Sequence, residues 1–415
     1  MEFFTSIFLL FLSIYILTML WLNFRQKKSI QNSFNVVPSS FQKDISLKEH
    51  QKAGLYSLDK LKVDNFEILF SSLLLVLWTI GGGIDLINNF WASHSYEGLS
   101  GGVFVILSIM IISSLLGLPV NYFRTFKIEE KHGFNKSTTS LFFSDYVKQT
   151  IIFTLIFGSF ISFVVLWLMN YMGQYWWIYT WVFISLFSLI MIWVYPTFIA
   201  PLFNKFSPLS DKELEIKIKS LITKSGFQSN GIFVMDGSKR SSHGNAYFTG
   251  MGESKRIVFF DTLLKDMSHD EIEAILAHEL GHFHHKHIRK NIVSTFLMTL
   301  IGLALLGYLI DQEWFFSGLG ITEVNNHNAL IVFTMVAPVF TFLISPISNM
   351  LSRKHEFEAD NFAATHTDAK NLISSLIKLY KENASTLTPD KIYSTFHHSH
   401  PPASERIGEL LKYAN

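Results

Sequence analysis

Seven apolar stretches of about twenty residues, each long enough to cross a hydrocarbon core as a helix, constrain this chain before any other feature. They are 3–24, 66–87, 101–121, 150–171, 176–197, 291–310 and 329–349, the last holding Pro338 and Pro346. With 49% hydrophobic residues and 40 Phe in 415, the composition is that of a polytopic protein in a lipid bilayer and not of a soluble enzyme. No Lys or Arg precedes the first stretch, its apolar run is too long for a cleavable leader, and Arg25, Lys27 and Lys28 follow it. It is expected to remain as an anchor with the N-terminus outside.

Basic residues test the crossings independently, because Lys and Arg concentrate in cytoplasmic loops. The segment 25–65 carries Arg25, Lys27, Lys28, Lys43, Lys48, Lys52, Lys60 and Lys62, and 122–149 carries Arg124, Lys127, Lys131, Lys136 and Lys148. The segments 88–100, 172–175 and 311–328 carry none. This alternation predicts a C-terminus inside and a cytoplasmic segment 198–290. A net charge of +1 excludes a strong nucleic-acid footprint, so no nucleic-acid partner is expected. The absence of cysteine excludes disulfides, a thiol nucleophile and Cys-ligated zinc. The chain divides into 1–197, spans one to five with their loops; 198–290, a soluble segment; 291–350, spans six and seven; and 351–415, a second soluble piece.

Within 198–290, Ser210 and Glu213 have the spacing of a capping box for a helix reaching about Lys224, with Gly226 as its stop. Ile232–Met235, 245–249 and 257–260 read as short strands. Ser268 and Glu271 open a second helix that continues toward the sixth span.

That helix carries His278-Glu279-Leu280-Gly281-His282. Residues four apart share a helix face, so His278 and His282 can hold one zinc ion, with Glu279 beside it as base on a water at the metal. A catalytic zinc needs a third protein donor and an open position. His285 lies on the same face but about 10 Å along the helix from His278, too far for one tetrahedral ion. The metzincin continuation also fails, with His285 where Gly is wanted and Ile288 where His is wanted. The cluster His284, His285 and His287 reads instead as a solvated polar face. A better donor comes from Ser352-Arg353-Lys354-His355-Glu356-Phe357-Glu358-Ala359-Asp360, where Glu356 and Asp360 share a face. One of these carboxylates can bind zinc while the other accepts an N–H from a ligand histidine. Glu358 lies about 160° round the helix from Asp360 and is expected to do neither.

Four further stretches complete the pattern: Ile128-Glu129-Glu130-Lys131-His132-Gly133-Phe134-Asn135-Lys136, then 196–206, His243-Gly244-Asn245-Ala246-Tyr247-Phe248, and His400-Pro401-Pro402 with Glu405-Arg406. Over nearly its whole length the chain resembles the type 1 CAAX prenyl protease family of integral-membrane zinc endopeptidases. The resemblance implies a mainly α membrane protein, with seven transmembrane helices enclosing a chamber. It implies a gluzincin-like zinc protease domain with a small β-sheet, built from 198–290 and 351–415. The implied reaction is hydrolysis of peptide bonds near the C-terminus of prenylated CAAX proteins. One zinc ion per chain would be held by His278, His282 and Glu356, with Glu279 as base and Asp360 as partner of a ligand imidazole. Asn245 corresponds to a substrate contact at a strand edge, and His400 and Arg406 to residues that stabilise the oxyanion. Gly244 departs from the family pattern, which usually has Ser there.

Glu129, Glu130 and His132 admit a second metal reading, but adjacent acids on a cytoplasmic loop are more often solvated or paired with Lys. Asn135-Lys136-Ser137 and Asn383-Ala384-Ser385 fall on the predicted cytoplasmic side, where glycosylation is not expected. Besides a prenyl-CAAX endopeptidase, two other functions fit: a broader bacterial membrane-protein quality-control protease, and a non-catalytic scaffold with a structural zinc. A structural site has no use for Glu279, which counts against the scaffold. The ending Lys412-Tyr413-Ala414-Asn415 is no ER-retrieval signal, which favours a bacterial cytoplasmic membrane over the ER membrane.

Overall fold

The computed structural model describes residues 3–414 apart from 228, 230 and 250–255. α1 (Phe3–Asn32) is one unbroken helix, apolar over 3–24 and polar at its end. α2 (Leu47–Trp78) starts at a complete capping box between Ser46 and Glu49 and ends at a glycine run. There Gly82 takes a left-handed φ of 76°, and a Cβ on Gly81 would lie 2.7 Å from the Leu77 carbonyl oxygen. α3 (Gly83–Ser93) leaves at 47° to α2. The expected span 66–87 is therefore two helices, because three successive glycines put no side chain in the way of the turn.

α4 (Gly98–Phe123) runs on into the π-helical Arg124–Glu129. α5 (Thr139–Gln149), the π-helical Thr150–Gly158 and α6 (Ser159–Tyr171) follow one another without a gap, and α7 (Trp176–Val194) returns. Among the described residues six helices are long and apolar enough to cross a membrane, or seven with the bent pair counted as one. Outward they expose Leu17, Leu69, Leu73, Leu186, Ile190, Leu297 and Ile301, as helices surrounded by an apolar medium do. Inward they close on one cluster that includes Phe8, Ile84, Leu166, Leu306, Phe316 and Val332.

The soluble part is built on a four-stranded sheet in the order β1 (Phe206–Pro208), β2 (Ile232–Met235), β4 (Arg256–Phe260), β3 (Ala246–Thr249). β2 and β4 are parallel and the two outer pairs antiparallel. The three foreseen strands form. β1 was not foreseen, since Phe-Ser-Pro has no alternating pattern and a proline is tolerated only on such an edge. α8 (Lys212–Lys224) is capped by Asp211 and not by Ser210, because the Asp211 carboxylate reaches the Leu214 N–H at 3.0 Å. α9 (Asp261–Asp266) leads to α10 (His269–His284), which opens on the expected Ser268–Glu271 box. α10 does not run straight into the sixth span. Lys286, at φ 58°, interrupts it before α11 (His287–Leu309).

After the short α12 (Glu313–Ser317), α13 (Asn326–Thr341) is joined by a single 3₁₀ turn to α14 (Ser345–His366). Pro346 sits in the first turn of α14, where its missing N–H leaves no bond unmade. α15 (Ala369–Glu382), α16 (Lys391–His397) and α17 (Ala403–Leu410) complete the chain. Ile218, Phe259, Ile272, Leu276, Leu372 and Leu410 fill the core between sheet and helices.

A close backbone contact in this core joins α10 to α14. A Cβ built on Gly281 would lie 2.8 Å from the Ala359 Cα and 3.0 Å from its carbonyl oxygen. Both obstacles are backbone and cannot rotate away. Gly281→Ala should therefore cost about 1–3 kcal/mol by overpacking, although Ala is ordinarily the better helix former. Gly302→Ala, on α11 where an added Cβ meets nothing within 4 Å, should hold or slightly raise the unfolding temperature. Equal unfolding temperatures for the two variants would contradict the assignment.

Candidate metal centre and active site

With Gly281 against Ala359, one face of α10 meets the acidic face of α14. His278 and His282 turn their Nε2 atoms toward each other at 3.2 Å. Glu356 completes the corner, its Oε1 3.2 Å from His282 Nε2 and its Oε2 3.5 Å from His278 Nε2. Donors about 2.0–2.2 Å from a tetrahedral zinc stand about 3.3–3.6 Å from one another, so these separations fit one ion. A second observation agrees: Glu356 Oε2 is buried without a hydrogen-bond partner, a costly state unless a cation faces it. Among the described residues His278, His282 and Glu356 are the one group of metal-donor side chains so assembled.

Because both ligand-type nitrogens are Nε2, both Nδ1 atoms face away and need partners. His278 Nδ1 is 2.8 Å from Asp360 Oδ1. Asp360 is fully buried and is held by Arg406, which donates from Nε at 2.8 Å and from Nη2 at 2.6 Å. Burial and the Arg406 charge both disfavour a protonated His278. The Asp360 and Glu356 carboxylates outweigh them and raise its pKa to about 9 when no cation is bound.

The expectation that His284, His285 and His287 form a solvated face fails for His287. The left-handed Lys286 turns the chain so that His287 is 2% exposed and reaches back to His282. Glu358 is not idle either. It lies outside the donor set but accepts from His287 Nε2 at 2.8 Å.

A cavity of about 170 Å³ opens on the centre and is lined by Asn245, His278, Glu279, His400 and Arg406 with apolar neighbours such as Leu263 and Leu376. Glu279 is half-buried, and among the described residues its carboxylate makes no ion pair or hydrogen bond. His400 Nε2 lies 3.4 Å from Glu356 Oε1. Arg406, expected at the oxyanion, spends most of its guanidinium on Asp360, with Nη1 3.5 Å from Glu356 Oε2. Asn245 is exposed at the start of β3 and accepts the Ala246 N–H at 2.8 Å. Among the described residues β3 pairs with β4 alone, so no strand pairs with its other edge.

The remaining motifs gather at a different cavity, of about 630 Å³, lined by Tyr56, Glu129, Phe134, Arg240 and His243 among others. Phe134 stacks on His243 at 4.4 Å, and Glu129 accepts from the Tyr56 hydroxyl at 2.6 Å and faces His243 Nε2 at 3.5 Å. His132 is buried against Asp59 at 3.0 Å. These side chains are packed and paired, neither solvated nor gathered as metal donors. Arg240, which sequence reasoning passed over, ties Asp145, Phe203 and Asn204 together. Asn383, in a sequon, bonds His243 and the Gly244 N–H.

Comparison with known proteins agrees with this architecture. Residues 26–205 match the CAAX prenyl protease N-terminal family of five membrane helices, and 208–414 match peptidase family M48. The CAAX prenyl protease 1 homolog of Arabidopsis thaliana is 34% identical, over 93% of this chain and 92% of the relative. That of Homo sapiens is 31% identical, over 94% and 92%. CAAX prenyl protease 1 of Saccharomyces cerevisiae is 36% identical over 72% and 69%. The crystal structure of S. mikatae Ste24p superposes with a TM-score of 0.92 at 31% identity, covering 98% of this chain and 99% of that one. These relatives do not favour the bacterial quality-control reading, and a peptidase family argues against the inert scaffold. The chain belongs to peptidase family M48 and, within it, to the CAAX prenyl protease 1 family, and it is a multi-pass membrane zinc metallopeptidase.

Proposed function

We propose that this protein cleaves peptide bonds near the C-terminus of CAAX-type substrates, prenylated ones included, at the cavity between β3 and α10. One observation carries the reading: the cavity lined by Glu279, Asn245 and Ala246 reaches His278, one of the three metal donors, and so sets an unpaired carboxylate and an edge strand beside the donor corner. His278, His282 and Glu356 would hold one zinc ion per chain, and Asp360 would fix His278 through Nδ1. Zinc held there supplies Lewis acidity, lowering the pKa of water and polarising a carbonyl. The substrate lies extended along the free edge of β3, where backbone hydrogen bonds and Asn245 set its register. Glu279 takes a proton from the attacking water and returns it to the leaving amine. His400 faces the developing oxyanion, and Arg406 acts mainly by keeping Asp360 ionised and aimed at His278. The membrane helices enclose the chamber from which substrate enters, and the active site faces the cytoplasmic side, as the loop charges favour.

Glu279→Gln should lower peptide cleavage by about a hundredfold to ten-thousandfold and leave zinc close to stoichiometric by elemental analysis. Zinc lost together with activity would make Glu279 a ligand instead of a base.

Metal affinity should rise with pH. The imidazolium of His278 persists up to about 9 without a cation, so binding must displace a proton. Affinity should fall about tenfold for each pH unit below that value while one proton is exchanged. Chelator competition between pH 6 and 9 measures this, and a flat profile would remove His278 from the donor set.

A farnesylated peptide and its bare counterpart should both be cut, the lipid changing rate more than outcome, because strand pairing and carbonyl polarisation do not involve it. Processing of the farnesylated peptide alone, in the same detergent, would make lipid recognition obligatory.

A further inference from the structure

Each ligand imidazole presents Nε2 to the same point, so each Nδ1–H must find an acceptor on the far side. His278 has Asp360 directly. Among the described residues His282 has no carboxylate at hydrogen-bond distance from its Nδ1; the atom there is Nδ1 of His287, at 3.0 Å. Two imidazole nitrogens can bond only when one carries the proton and the other the lone pair. A His282 that offers its Nε2 lone pair to a cation keeps its proton on Nδ1. His287 must then accept at Nδ1 and carry its own proton on Nε2. That atom lies 2.8 Å from Glu358 Oε2, a carboxylate able to take it.

We infer that His287 and Glu358 form a relay that fixes the ring and tautomer of His282, with His287 as a positioning residue for the metal centre. The inference rests on the zinc reading above. The surroundings are built for the task. His287 is 2% exposed and stacked on His355 at 4.0 Å and 15°. It is brought there by Lys286, a non-glycine residue in the left-handed conformation, a strained backbone state that is retained where the surrounding structure requires it. Three acids on α14 then have separate duties: Glu356 at the corner, Asp360 behind His278, and Glu358 behind His282 by way of His287.

The test is zinc affinity by chelator competition on the full-length protein, together with the visible spectrum of the cobalt-substituted form. His287→Leu should weaken zinc binding by about 10–100-fold and alter the cobalt spectrum. His287→Gln, which can still accept from His282 and donate to Glu358, should recover most of the affinity. Glu358→Leu, at a position 29% exposed, should weaken binding in the same direction by a smaller factor, and it decides the matter should His287→Leu fail to fold. Wild-type zinc affinity and spectrum in Glu358→Leu and in any folded His287→Leu would overturn the relay. So would an equal loss of unfolding temperature with and without zinc and no change in affinity. A wild-type protein that binds no zinc would instead bring down the metal reading itself.

Discussion

The whole site depends on how closely two helices approach. α10 brings the imidazoles and α14 the carboxylates, and neither set can form a corner unless the backbones nearly touch. Gly281 against Ala359 permits that distance. The glycine inside the His-Glu-Leu-Gly-His run is thus a packing requirement, set by the need to bring Glu356 within 3.2–3.5 Å of His278 and His282. Leu280, beside it, is buried in the same core, so the motif's two apparently neutral positions are both committed to assembly.

Burying this much charge is expensive, and the structure offsets the cost by pairing. Asp360 is fully buried and meets a nearly buried Arg406 through two hydrogen bonds. Such a pair is costly to break from one side, since the remaining charge is left unsolvated. Glu356 differs. Its Oε2 has no hydrogen-bond partner and the Arg406 guanidinium at 3.5 Å for charge, an incomplete compensation that a cation in the corner would complete. Among the described buried side-chain atoms without a hydrogen-bond partner, Glu356 Oε2 is the one carboxylate oxygen, and it lies at the donor corner.

Much of this was legible in the chain, for identifiable reasons. Helix periodicity alone put His278 with His282 and Glu356 with Asp360 on common faces, and capping chemistry marked the start of α10 at Ser268. Hydropathy gave the crossings. Three readings failed where a local irregularity is silent in sequence or averaged away. A hydropathy window passes smoothly over Gly81-Gly82-Gly83, so the second span was drawn straight. β1 is three residues long and has no period. Lys286 adopts a left-handed turn without being glycine, so continuing the helix through it threw His287 onto the solvent face. Arg406 stands next to Glu405 in sequence, yet its partner is Asp360, 46 residues away, a pairing that only tertiary packing reveals.

The corner also has a mechanical meaning. Its donors come from His278 and His282 on one side and Glu356 on the other, and between them the chain runs out along α11 and back along α13. A cation bound there cross-links the two ends of a membrane-spanning hairpin. Closing so long a loop from the unfolded side is entropically unfavourable, and a ligand that binds only the closed form shifts that balance by its own binding free energy. The ion that performs the chemistry would then also clamp the hairpin shut, and metal-depleted protein should loosen first where α10 meets α14.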